Sequence, residues 1–371
     1  MTSNTNHRAS TWFQRFLLPG FAFKATVIGG GYATGRELAE FFLPSGPWGG
    51  IAGMVLAMFL WSLVCMVTFV IARRNETYDY QSFFRCLLGR GWIVYELAYA
   101  LFIIVVLSVF AAAAGAIGTA MFGLPRVVGT CALMVAIAVF VAFGTSSIER
   151  LFKYVSFLLY AIYAIFALLA LTKFGNEIAQ HFSMKVASTG WFLAGMTYTG
   201  YNIIGAVVIL PVLRHLTSSR DAMIAGALAG PLAMLPALIF FICMMAFYPS
   251  IGGETLPSDF MLRRLDIPMF HYLFQIMIFS ALLESGAGFV HAINERIDAA
   301  WTARGGLSLG RITRLYIAAG LLVICIFVAD HFGLARLISY GYRYLSYVFL
   351  AVYVAPLLTV GLIRASRGVD T

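Results

Sequence analysis

The sequence predicts an all-α polytopic membrane protein: ten transmembrane helices arranged as two inverted sets of five. Three observations carry this. Hydrophobic residues make up 61% and charged residues 11% of the 371 positions, with a mean hydropathy of +0.89, whereas a soluble domain carries about 25% charged residues. Apolar stretches of the roughly 20 residues needed to cross a bilayer recur along nearly the whole chain. The first and sixth of these are interrupted by glycine-rich polar runs at corresponding places.

In chain order the apolar stretches cover residues 18–42, 48–72, 92–121, 127–143, 148–172, 189–213, 222–248, 269–297, 312–332 and 334–363. The first contains Gly29-Gly30-Gly31-Tyr32-Ala33-Thr34-Gly35-Arg36-Glu37. Glycine gives up the most backbone freedom on ordering and weakens a helix. Charge near the bilayer centre is expensive, and irregular backbone at that depth is tolerated where it lines a protein cavity. The run therefore reads as a broken helix around a cavity.

The second stretch has Gly49 and Gly53 at GxxxG spacing, which suits packing inside the bundle. The third opens on Glu96 and Tyr99, an interfacial pair expected beside a basic group. It is separated from the fourth only by Gly123-Leu124-Pro125-Arg126. The sixth contains Gly195-Met196-Thr197-Tyr198-Thr199-Gly200-Tyr201-Asn202, read as the partner interruption. Because five is odd, the second half enters from the opposite side, and residues 1–172 and 173–371 form an inverted repeat. Paired interruptions in inverted halves point to a transporter binding site; glycines serving close helix packing are the alternative. The eighth stretch carries Glu284 near its centre among small residues, and the tenth carries Arg343 amid Tyr340, Tyr342 and Tyr344.

Basic residues set the orientation. Arg8, Arg15, Lys24, Arg73, Arg74, Arg85, Arg90, Arg150, Lys153, Arg214, Arg220, Arg296, Arg304, Arg311, Arg314, Arg364 and Arg367 fall on the side of the N-terminus. The other side has only Arg126, Lys173, Lys185, Arg263, Arg264 and Arg336. This bias puts both termini in the cytoplasm. The net charge of +9 is then a topology signal, and no nucleic-acid partner is implied. The five cysteines are scattered and form no CxxC, and no HExxH occurs, so neither a disulfide framework nor a metal centre is expected. The oligomeric state is left open.

The substrate site is expected at Gly29, Gly30, Gly31, Tyr32, Ala33, Thr34 and Gly35 of the first interruption, with Tyr198, Thr199, Gly200 and Asn202 across the cavity. Backbone N–H groups near Thr34, Gly35 and Arg36 would face the cavity with a helix dipole behind them, an anion site for a substrate carboxylate. Glu37 is a site or gate residue that could hold an amine. Arg36 either holds an acid group or pairs with Glu40 one turn on, or with Glu37 or Glu284 elsewhere in the bundle. Glu284 is an intramembrane carboxylate, a functional hypothesis by default; the alternative is a fixed ion pair with Arg36 or Arg343.

The run Gly30-Gly31-Tyr32-Ala33-Thr34-Gly35-Arg36-Glu37 resembles the glycine–small–glycine–aromatic–small–Ser/Thr–Gly–polar–Glu stretch of the bacterial YkvI-like membrane proteins. That family looks like a distant branch of the amino acid–polyamine–organocation transporter superfamily. The resemblance implies a LeuT-like fold with discontinuous helices 1 and 6. It also places Glu284 and Ser285 near a sodium site where the eighth helix faces the inner half of the first. Glu284, Ser285 and Glu37 are accordingly the expected ion-coupling residues.

The expected function is secondary active transport of a small polar organic solute, an amino acid or related compound, by alternating access. No cofactor is expected beyond Na⁺ or H⁺ as coupling ion, and the partners are the solute and the lipid bilayer. The competing class is a transporter-like sensor that binds a ligand and signals through partners. An enzyme is not expected, because no nucleophile–base set or metal-ligand cluster is present.

Overall fold

A computed structural model describes residues 10–143, 145–302, 304–361 and 363, with the side chains of 143 and 145–157 left undescribed. Arg8, Arg364 and Arg367, used above for orientation, lie outside the described residues, as do the side chains of Arg150 and Lys153. Among the described residues all regular structure is helical.

Six stretches are long and apolar enough to cross a membrane: Arg36–Arg74, Tyr80–Phe122, Leu158–Ser183, Ser219–Phe247, Pro268–Thr302 and Arg311–Gly361. The expected ten is not reached by this measure, for local reasons. The helix α1 (Leu18–Val27) has 10 residues, about 15 Å at 1.5 Å per residue, because the glycine run ends it. It resumes only at α2 (Arg36–Phe41), which leads through a tight turn into α3 (Gly46–Arg74). A short amphipathic helix, α4 (Tyr80–Leu88), precedes α5 (Trp92–Phe122). The next helix, α6 (Arg126–Phe143), has 18 residues and falls just short. Then come α7 (Thr145–Ser183) and the 12-residue α8 (Trp191–Asn202).

Beyond α9 (Ser219–Met244), the short α10 (Pro257–Leu265) precedes α11 (Pro268–Thr302). The last stretch holds α12 (Arg311–Arg336), broken at Gly333 (φ 70°, ψ 168°), and α13 (Arg343–Phe349), flanked by π-helical turns. Its 51 residues exceed one bilayer thickness more than twofold at helical rise.

Small residues let these helices approach closely. A Cβ on Gly226 of α9 would lie 2.5 Å from the Met66 backbone of α3, and Ser62 of α3 donates to the Ala227 carbonyl at 2.8 Å. Gly53 meets the Trp191 carbonyl in the same way, at 2.9 Å, so the Gly49/Gly53 pair serves packing within the bundle. Glu96 finds Arg296 at 3.5 Å, and the Arg296 guanidinium is sandwiched between the Tyr80 and Tyr99 rings at 3.5 and 3.4 Å. A charge held between aromatics therefore ties α11 to α4 and α5.

Candidate functional site

The first interruption is a genuine break. Ile28 leaves the helical region (ψ 87°), Gly30–Ala33 forms a single helical turn, and Gly35 caps α2 with φ 77°. That left-handed conformation costs other L-residues roughly 1–2 kcal/mol, so glycine is required. The turn packs between α5 and α11. Three side contacts hold it: the Tyr163 hydroxyl donates to the Ala33 carbonyl (3.2 Å), the Tyr32 hydroxyl to the Ala233 carbonyl (3.3 Å), and the Ser258 N–H to the Thr34 carbonyl (3.0 Å).

The expected anion site is filled by the chain itself. The Gly35 N–H donates to the Tyr32 carbonyl at 3.0 Å, and the Arg36 N–H faces the Thr34 hydroxyl at 3.5 Å. The Thr34 hydroxyl in turn donates to the Gly31 carbonyl at 3.1 Å. Arg36 also turns away from any solute. Its guanidinium donates to the Gly252 and Glu254 carbonyls (2.8 and 2.9 Å) and to Glu40 (2.8 Å). The Glu40 alternative is thus realised, and Arg36 ties the break to the loop before α10.

The second interruption differs from expectation in place and depth. Residues 195–202 lie within α8, and the irregularity comes one residue later, at Ile203 and Ile204, both still right-handed. The reason is local. The Thr199 hydroxyl donates to the Gly195 carbonyl one turn back (2.7 Å), and the Asn202 amide donates to the Tyr198 carbonyl (3.1 Å). Gly195 and Gly200 are there for contact: an added Cβ would lie 2.6 Å from the Gly53 carbonyl and 2.8 Å from Ser346, respectively. The packing alternative holds for this segment.

Between the break and α8 lies a cavity of about 20 Å³, room for about one water molecule. Glu37 is its carboxylate, 2% exposed. Tyr201 donates to Glu37 Oε2 at 2.6 Å, and the Tyr32 backbone N–H and the Tyr198 hydroxyl also face the carboxylate. Tyr201 stacks on Tyr342 at 4.3 Å. Phe102 and Phe110 of α5 and Phe289 of α11 complete the wall with Gly29 and Asn202. Gly31 is the floor beneath Glu37: a Cβ there would collide with Glu37 Oε1.

Of the expected substrate residues, Gly29 and Asn202 reach the cavity, and Gly31 touches Glu37. The backbone of Gly30 belongs to the turn. Tyr32, Ala33, Thr34 and Gly35 build the break, while Tyr198 packs its ring against Phe42 and Trp61 (4.8 and 5.5 Å) and turns its hydroxyl toward Glu37. Sequence reasoning missed Tyr201, Tyr342 and the three phenylalanines.

Glu284 lies outside this cavity, on α11, 9% exposed. The charge it faces is Lys24 of α1. Lys24 is 3% exposed, with its ammonium 3.7 Å above the Tyr160 ring. Lys24 was assigned above to a cytoplasmic loop; it sits inside the bundle, and its place within the first apolar stretch was the available signal. Neither Arg36 nor Arg343 pairs with Glu284, since Arg343 is exposed. Among the described residues no side-chain hydrogen bond is made by Glu284 or Ser285, and no group of three or more His, Cys, Asp and Glu could hold a metal ion.

No family model matches the chain. It is 25% identical over 346 residues to the uncharacterized membrane protein YkvI of Bacillus subtilis, spanning 89% of this chain and 92% of that one. This is the group that the first interruption resembled. Among solved structures, a Na⁺-coupled sialic acid symporter in a substrate-bound outward-open state matches with TM-score 0.64 and 13% identity, over 94% of this chain and 82% of that one. MhsT in complex with L-phenylalanine matches with TM-score 0.57 and 18% identity, over 95% and 88%. The fold is that of the LeuT-type transporters.

Proposed function

We propose that the chain is a secondary active transporter of a small polar organic solute, working by alternating access around the broken first helix. The observation that carries this is a buried carboxylate, Glu37, in a small cavity at a helix break, within a fold shared with a Na⁺-coupled symporter. Irregular backbone at membrane depth is stable only when protein or a cavity covers it, and here it borders the solute space. In this reading the chain crosses the membrane ten times, in two inverted halves at 1–172 and 173–371. Both termini face the cytoplasm of a bacterial inner membrane. The basic-residue bias supports that orientation with Lys24 removed from the count.

Coupling to Na⁺ or H⁺ falls to Glu284, with Ser285 beside it. Glu284 is buried on α11 opposite Lys24, so the state of one group alters the field at the other. Glu37 lies in the solute cavity and is assigned to cargo. The cavity, about 20 Å³, is too small for an organic solute, so the conformation is closed and loading requires it to open. Reconstitution into proteoliposomes with imposed Na⁺ or pH gradients tests the reading. Accumulation of a bound solute driven by either gradient is the expected result. Binding without accumulation would replace transport by ligand sensing.

A further inference from the structure

We propose that the cargo is a small amine, held as a cation by Glu37 within aromatic walls, and that the site does not recognise a carboxylate. This rests on the transport reading for the place of the cavity and adds the chemistry of its occupant.

The lining contains one carboxylate and no Lys, Arg or His. A buried carboxylate needs a compensating positive charge or a proton, and among the described residues no basic side chain pairs with Glu37. Tyr201 occupies Glu37 Oε2, and Oε1 lies on the Gly31 side, toward the break. The walls are rings: Phe102, Phe110, Phe289, Tyr201 and Tyr342. Ring faces attract an ammonium, increasingly so when it is desolvated.

The features that would favour an acid group are spent elsewhere. The two terminal nitrogens of Arg36 are engaged by the Gly252 and Glu254 carbonyls and Glu40. The Gly35 N–H at the start of α2 is taken by the Tyr32 carbonyl, and the Arg36 N–H is turned to the Thr34 hydroxyl. A solute carboxylate would also meet Glu37 as a like charge. Thr26 and Asn202 supply further polar edges, suited to a hydroxyl or amide.

The test uses the full-length protein in lipid nanodiscs and amine–acid pairs of matched size: n-butylamine with butyrate, and phenethylamine with 3-phenylpropionate. L-Phenylalanine is the zwitterionic reference. Thermal unfolding reports binding, since a ligand of the folded state raises the midpoint. The amines are expected to raise it and the acids to leave it unchanged, with phenethylamine tighter than L-phenylalanine. Glu37→Gln, nearly isosteric, is expected to weaken amine binding about a hundredfold, and Glu37→Asp to retain part of it.

Stabilisation by either acid, a zwitterion tighter than its amine, no response to the amines, or undiminished amine binding in Glu37→Gln would each overturn the proposal. Proteoliposome uptake separates this from the transport reading. An acid that binds and accumulates sustains transport and overturns the amine. An amine that binds through Glu37 without accumulating does the reverse.

Discussion

Glu37 and Glu284 are both buried carboxylates, and their surroundings differ in one respect that matters. Glu284 faces a buried cation supplied by the protein, Lys24, whose ammonium rests on the Tyr160 ring at 3.7 Å. Glu37 faces rings, a phenol and backbone, with no basic group in its cavity. Charge that the fold balances itself can persist whether or not a solute is present. Charge that the fold leaves unbalanced calls for a partner from outside. Coupling and cargo divide along this difference in the proposed reading, and each half of that proposal can be broken.

The largest expected effect comes from unbalancing the internal pair. Glu284→Gln leaves the Lys24 charge buried without its opposite, and Lys24→Met does the converse. Breaking a buried contact pair costs about 3–5 kcal/mol. Lys24 and Glu284 interact without a contact ion pair, so each single variant should fall near the low end of that range in thermal or denaturant unfolding. The double variant Lys24→Met/Glu284→Gln should recover most of the loss. Glu284→Gln should also abolish any Na⁺ or pH dependence of solute binding while leaving the binding itself. Additive losses in the double variant would show that the two residues do not form a pair.

Next in size is Tyr201→Phe. It removes the 2.6 Å hydrogen bond to Glu37 but keeps the stack on Tyr342. Hydrogen bonds to charged groups contribute about 1.5–3 kcal/mol, so solute affinity should drop about tenfold or more. Gly31→Ala should act on the same carboxylate from below, because its Cβ would displace Glu37 Oε1. We expect about a tenfold loss, equal to about 1.4 kcal/mol, with the unfolding midpoint little changed. Unaltered affinity in both variants would remove Glu37 from the solute site.

The membrane class and the first break could be read directly from the chain. Composition left no soluble alternative, and a glycine run beside Arg36 and Glu37 at bilayer depth has few explanations. The walls of the cavity could not be read this way. Phe102, Phe110 and Phe289 come from two helices, and each is locally indistinguishable from a residue facing lipid or packing in a core. Lys24 was hidden by a rule that counts basic residues as loop markers, although it lies within the first apolar stretch. Arg36 could be read only as two alternatives, because its partners Gly252 and Glu254 are brought close by the tertiary fold.

The second interruption shows where composition alone misleads, and it carries the smallest expected effect. Residues 195–202 resemble the first run in having glycine, threonine and tyrosine, yet they stay within α8. What differs is where the polar groups and glycines point. In the first run Gly35 must adopt φ 77°; in α8 the glycines only admit neighbours, and the Thr199 hydroxyl bonds back to Gly195 at 2.7 Å. A threonine turned onto its own helix has little left to offer a solute. Thr199→Val should therefore change solute affinity by less than about twofold, since a hydroxyl bonded within its helix contributes little to helix stability or to a ligand. Tyr201→Phe, two residues on, changes it far more. Should Thr199→Val instead cost as much as Tyr201→Phe, α8 must open at Thr199 when solute binds. The two interruptions would then be equivalent in the loaded state, though they differ in the closed one.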